Sequence, residues 1–150
     1  DFPPRCHPAI QPGRAENAHA KRFVEALADE VVPFVERDLL GLDPSALPPQ
    51  RALLGCSYSA VVALQVLLLR PVAFRDFVLG SPSVCFDREI LEDVQNGNYA
   101  PLAVAAGAGV SIVLGSRERE GTALPGNVHD EMTSGALVLA EKLRGRHINV

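Results

Sequence analysis

Short, continuously apolar runs alternate along this chain with longer runs in which apolar residues recur every three to four positions. The first fourteen residues, with four prolines and a glycine, read as irregular loop. A long amphipathic helix is predicted over residues 15–40. Phe23, Leu27, Val31, Phe34 and Val35 share its apolar face, and Pro33 marks a kink or a fresh start. A Pro/Gly-rich connector follows, with Gly41-Leu42-Asp43-Pro44 and Pro48-Pro49. Residues 51–55 then form a short strand, and residues 60–70 a strongly apolar helix stopped by Pro71. Further strands are predicted at 77–79 and 110–114, with helices at 88–95 and 127–143. Ile148-Asn149-Val150 opens one more strand.

Strands that alternate with helices and are apolar throughout predict an α/β fold: a mostly parallel sheet with helices on both faces. A length of 150 residues suits one domain with a sizeable core, and 47% hydrophobic against 21% charged residues is globular rather than disordered. A net charge of −4 without a lysine/arginine block argues against nucleic acid as a partner. The longest apolar run, residues 61–69 broken by Gln65, falls far short of the roughly 20 residues that span a bilayer, so no membrane partner is expected. Three cysteines in no metal-binding spacing argue against a paired secreted framework and favour a reducing compartment such as the cytoplasm. The chain starts at Asp1, so a processed or partly observed polypeptide is expected, and an upstream signal peptide stays compatible with it.

Chemistry concentrates at Gly55-Cys56-Ser57-Tyr58-Ser59, between the first strand and the apolar helix. A serine on a sharp strand-to-helix turn is lifted out of the fold as a nucleophile, and the next backbone N–H, that of Tyr58, can face a developing oxyanion. The usual pattern ends in glycine, where this chain has Ser59. In open parallel sheets reactive groups gather beyond the carboxyl ends of the strands. Ser81 and Ser83 follow the second strand, and the charged loop 116–120 follows the third. In that loop Glu118, or with less support Glu120, supplies a carboxylate one strand end away that would orient a histidine. Serine, acid, histidine is the chain order of α/β-hydrolases. None of His7, His19, His129 and His147 sits where the base belongs, since His147 precedes the last strand instead of following it.

Five segments in order resemble the esterase family of α/β-hydrolases that includes S-formylglutathione hydrolase and siderophore esterases. Asp1-Phe2-Pro3-Pro4 is similar to its RDFTP-like segment, and FVERDL (residues 34–39) ends a matching helix. Residues 54–59 are similar to its GHSYGG elbow, residues 80–87 to its SPSLWWD, and residues 113–118 to its VGELE. The resemblance implies Ser57 as nucleophile, Tyr58 as oxyanion N–H, Glu118 as triad acid, an ester or thioester substrate of small-molecule type, and neither metal nor organic cofactor. It also implies one incomplete domain over residues 1–150. The first strands would lie before Asp1, and the histidine-bearing segment after Val150.

Each residue also has a plainer reading. Ser57 also reads as a helix N-cap, Glu118 as a solvated loop charge, and Asp87 as the cap of the following helix. Cys56 and Cys85 read as small buried apolar residues, with a reactive thiol as the alternative at Cys56. Ser81 and Ser83 read as shapers of a turn, or as pocket lining. The competing function is a non-catalytic binding or scaffolding domain of the same fold. A nucleotide-binding sheet lacks any GxGxxG or GxxxxGK[ST] signature here.

Overall fold

The computed structural model describes residues 14–43, 50–84, 87–97, 107–116 and 128–150. Three strands, β1 (Ala52–Cys56), β2 (Asp76–Gly80) and β3 (Gly109–Val113), form one sheet in the order β1-β2-β3. Both pairings are parallel and run without a slip: Ala52, Asp76 and Gly109 align at the amino end, and Cys56, Gly80 and Val113 at the carboxyl end. The carboxyl ends of all three strands therefore share one edge of the sheet. Asn149 forms a single parallel bridge to Gly109, and the Val110 N–H donates to its carbonyl at 2.8 Å, so residues 148–150 lie beside β3.

Side chains alternate across a strand, so one residue in two faces each side. Leu53, Gly55, Phe77, Leu79, Val110 and Ile112 form one face, in which Phe77 and Leu79 are fully buried. Burying each is worth about 2 kcal/mol. That face joins a single core with α2 (Tyr58–Leu69), α3 (Arg88–Asn96) and α4 (Val128–Arg144) through Leu64, Leu67, Leu68, Ile90, Leu139 and Leu143. The opposite face carries Leu54 and Val113, both more than half exposed. Among the described residues the helices thus supply the cover of one face.

The helix predicted over 15–40 exists, but its geometry changes along its length. α1 (Arg14–Glu25) passes into two wider π-type segments, Ala26–Val31 and Phe34–Leu39, on either side of Pro33. Each π turn holds an extra residue and rotates the apolar stripe. The inward residues are Val24, Leu27, Ala28 and Val32, whereas Phe23, Val31, Phe34 and Val35 are exposed. The 3.6-residue period selects the wrong face for four of its five residues, and only Leu27 packs against the core.

Polar anchors fix this segment below the sheet. Arg51, just before β1, forms a two-pronged ion pair with Glu36 and donates from Nη1 to the Ala73 carbonyl at 3.0 Å. That pairing holds the Glu36 carboxyl below its ordinary 4.5, chiefly through the hydrogen bonds from Arg51. Arg70, at the end of α2, binds Asp29 with its guanidinium at 2.9 Å. Asp87 accepts from the Ile90 N–H at 3.2 Å and caps α3, while Gly97 closes that helix in the left-handed conformation. Among the described residues no helix is long and apolar enough to cross a membrane.

Candidate active site

β1 ends at Cys56 and α2 begins at Tyr58, so one residue makes the whole turn from strand to helix. Ser57 has φ 57° and ψ −122°. That is a sparsely populated region for a residue with a side chain, and costs of order 1–3 kcal/mol. The surroundings impose it from three directions. The Ser57 N–H donates to the Gly80 carbonyl at 2.8 Å, and its own carbonyl accepts from Ala60 at 3.2 Å and Ser83 at 3.3 Å.

Gly55 shows how tightly the helix returns onto the strand. A Cβ built there would stand 2.3 Å from the Ser59 carbonyl oxygen and 2.7 Å from the Ala60 nitrogen. Any side chain at 55 would collide with the first turn of α2. Ser59, which replaces the expected glycine, fits this geometry. Its hydroxyl donates to the Cys56 carbonyl at 2.7 Å and accepts from the Cys56 N–H at 2.8 Å. The close approach is met at Gly55, so position 59 tolerates a side chain that ties the turn together.

Ser57 lies exposed at the carboxyl edge, with one neighbour beneath it. The Ser57 and Ser83 hydroxyl oxygens are 3.0 Å apart, and Ser83 is only 2% exposed. In the sequence Ser83 reads as a turn shaper or as pocket lining. The structure makes it the floor of the serine site. Its placement follows from the loop after β2: the Ser81 N–H donates to the Val113 carbonyl at 2.7 Å, and Ser81 itself has φ 42°. The one usable signal in the sequence was a Ser-Pro-Ser turn at the end of an apolar strand.

Tyr58 opens α2, so its N–H belongs to the first turn, whose amides point out of the helix end. The positive end of the helix dipole also lies at Ser57 and favours negative charge there. Glu118 and Glu120 lie outside the described residues. The chain leading to them leaves the same edge from β3, and the end of β2 stands between β3 and the serine. Two strand spacings come to about 10 Å. His147 (φ 61°) precedes Asn149, at the amino edge of the sheet and so the opposite end from Ser57. The side chains of His7, His19 and His129, together with Cys6 and Cys85, lie outside the described residues. Cys56 is exposed, not buried, because β1 points it to the uncovered face of the sheet. Asp87, whose carboxyl is pushed above its ordinary 3.8 mainly by burial, serves α3 as its cap. Among the described residues no cluster of His, Cys, Asp and Glu has the makings of a metal site.

No protein-family model matches the chain, and no curated protein matches it. Solved structures do. The siderophore hydrolase EstA from Aspergillus nidulans superposes with a TM-score of 0.65 at 23% identity, over 87% of this chain and 46% of that one. The siderophore hydrolase EstB from the same organism gives a TM-score of 0.55 at 23% identity, over 85% of this chain and 46% of its own. The chain spans less than half the length of either. Its fold is the α/β-hydrolase fold of these siderophore hydrolases, over the part that it covers.

Proposed function

We propose that this chain carries the nucleophile of a serine hydrolase that cleaves an ester or thioester through an acyl-serine intermediate. The observation that carries the reading is Ser57, held at φ 57° on a one-residue turn between β1 and α2 at the carboxyl edge of a parallel sheet. A serine that merely caps a helix needs no such conformation; it takes extended backbone and accepts from the first turn, and Ser57 makes no such side-chain bond.

In this mechanism the Ser57 oxygen attacks the carbonyl carbon as a histidine takes its proton. The carbonyl electron pair moves onto oxygen, where the Tyr58 N–H and the α2 dipole stabilise it. Collapse expels the alcohol or thiol with a proton from the histidine, and water then releases the acid by the same steps. Glu118 orients the histidine, which we place beyond the segment that bridges to β3 at Asn149. The reaction needs no metal or organic cofactor. A small-molecule ester of siderophore type is the substrate class that fits the names of the structural neighbours. The cysteine pattern favours action in a reducing compartment.

In the natural full-length protein, Ser57→Ala abolishes hydrolysis of p-nitrophenyl acetate while the melting temperature stays close to wild type, since alanine keeps the Cβ and the same backbone conformation. Turnover that survives the substitution would sink the assignment and favour a non-catalytic domain.

A further inference from the structure

We propose that Ser83 is a positioning residue that donates a hydrogen bond to the Ser57 hydroxyl oxygen and stabilises charge on that oxygen as its bond to the acyl carbon forms and breaks. The proposal rests on Ser57 being the nucleophile. A serine hydroxyl has one hydrogen to give and can accept two. Ser83 is 2% exposed, and the Ser57 oxygen, 3.0 Å away, is the partner of its hydroxyl among the described residues. A buried hydroxyl has to place its hydrogen on an acceptor. Ser57 is exposed and can direct its own hydrogen elsewhere. The buried group therefore donates and the exposed one accepts, which leaves the Ser57 hydrogen available to a base.

Backbone contacts fix this arrangement. The Ser83 N–H donates to the Ser57 carbonyl at 3.3 Å, and the Ser57 N–H to the Gly80 carbonyl at 2.8 Å, so the loop after β2 and the turn after β1 are joined at each end. Val84, next to Ser83, is fully buried, which holds the loop against the core. During acylation the Ser57 proton passes to the base and the oxygen lone pair forms the bond to carbon. During deacylation that bond breaks, its electron pair returns to the oxygen, and the proton comes back. Ser83 keeps its own proton throughout. Its hydrogen bond strengthens whenever negative charge gathers on the Ser57 oxygen, as bonds to charged groups do.

The test compares Ser83→Ala and Ser83→Thr in the natural full-length protein, reading kcat and KM for p-nitrophenyl acetate, the rate of labelling by a fluorophosphonate, and the melting temperature. Ser83→Ala is expected to lower kcat and the labelling rate about tenfold, with KM unchanged and a melting temperature near wild type. Ser83→Thr keeps the hydroxyl but buries an extra methyl, so it should melt earlier yet label faster than Ser83→Ala. Activity that follows the hydroxyl supports the role. Activity that follows the melting temperature, or a Ser83→Ala protein as active as wild type, overturns it. If Ser83→Thr does not fold, the separation of kcat from KM in Ser83→Ala decides alone. Wild-type protein that takes no label at Ser57 fails the nucleophile reading itself, whereas labelled wild type with equally fast Ser83→Ala fails only the role of Ser83.

Discussion

Replacing Gly55 by alanine adds one methyl group at the closest approach of strand and helix. Its Cβ would meet the Ser59 carbonyl oxygen at 2.3 Å, the Ser59 carbonyl carbon at 2.6 Å and the Ala60 nitrogen at 2.7 Å, all backbone atoms of α2. Relief to an ordinary contact of 3.4 Å requires the first turn of α2 to retreat by about 1 Å. Overpacking of this kind costs about 1–3 kcal/mol, with rigid backbone neighbours at the upper end. The lower chain entropy of alanine in the unfolded state offsets about 0.5–1 kcal/mol. The net loss is about 2 kcal/mol, or a fall of about 5 °C in melting temperature for a chain of this size. The effect on activity is larger, because Ser57 and the Tyr58 N–H both move with that turn. A displacement of about 1 Å at reacting groups costs roughly a hundredfold in rate. Calorimetry and fluorophosphonate labelling on the same sample read both quantities. Gly107→Ala is the control, since a Cβ there meets nothing within 4 Å. A Gly55→Ala protein that melts and labels like wild type would refute the steric account of the elbow.

The Glu36–Arg51 pair makes stability depend on acidity. Because Arg51 lowers the Glu36 pKa on folding, its contribution is complete above the ordinary 4.5 and disappears as pH falls through the lower folded value. Urea midpoints of wild type and Glu36→Gln should therefore differ most above about pH 5 and converge in more acidic solution; a gap that persists unchanged into acid would contradict this. Asp87 has the opposite sign. Burial raises its pKa, so its favourable contribution is complete below 3.8 and is lost as pH rises through the raised folded value. Asp87→Asn keeps an acceptor for the Ile90 N–H without a charge and should equal or exceed wild type at pH 7 in chemical denaturation, whereas Asp87→Ala loses the cap and about 1 kcal/mol. Equal stability of the alanine and asparagine variants would show that the cap contributes nothing.

The sequence made the elbow legible because its punctuation is local. Gly55, the serine and Pro71 bracket β1 and α2, whose limits in the structure lie within two residues of the pattern. α3 and its Asp87 cap were equally readable, since capping depends on neighbours along the chain. What failed depends on contacts distant in sequence or on departures from ideal geometry. The apolar face predicted for residues 15–40 fails at Phe23, which already points outward within α1, and at Val31, Phe34 and Val35, which lie in the π segments on either side of Pro33. Cys56 reads by residue type as a small buried apolar side chain, with a reactive thiol as the alternative, and it is exposed on the side that no described helix covers. Ser83 reads as a turn shaper or as pocket lining, and a linear pattern does not reveal that residues 57 and 83 share a hydrogen bond across two strand ends.

The central claim is that Ser57 is a nucleophile. Incubating the natural full-length protein with a fluorophosphonate, digesting it and mapping the adduct by mass spectrometry tests it directly. A single phosphonyl adduct on Ser57, formed with loss of fluoride and absent from Ser57→Ala, is the expected result. An adduct on another residue, or none in folded protein, would contradict it.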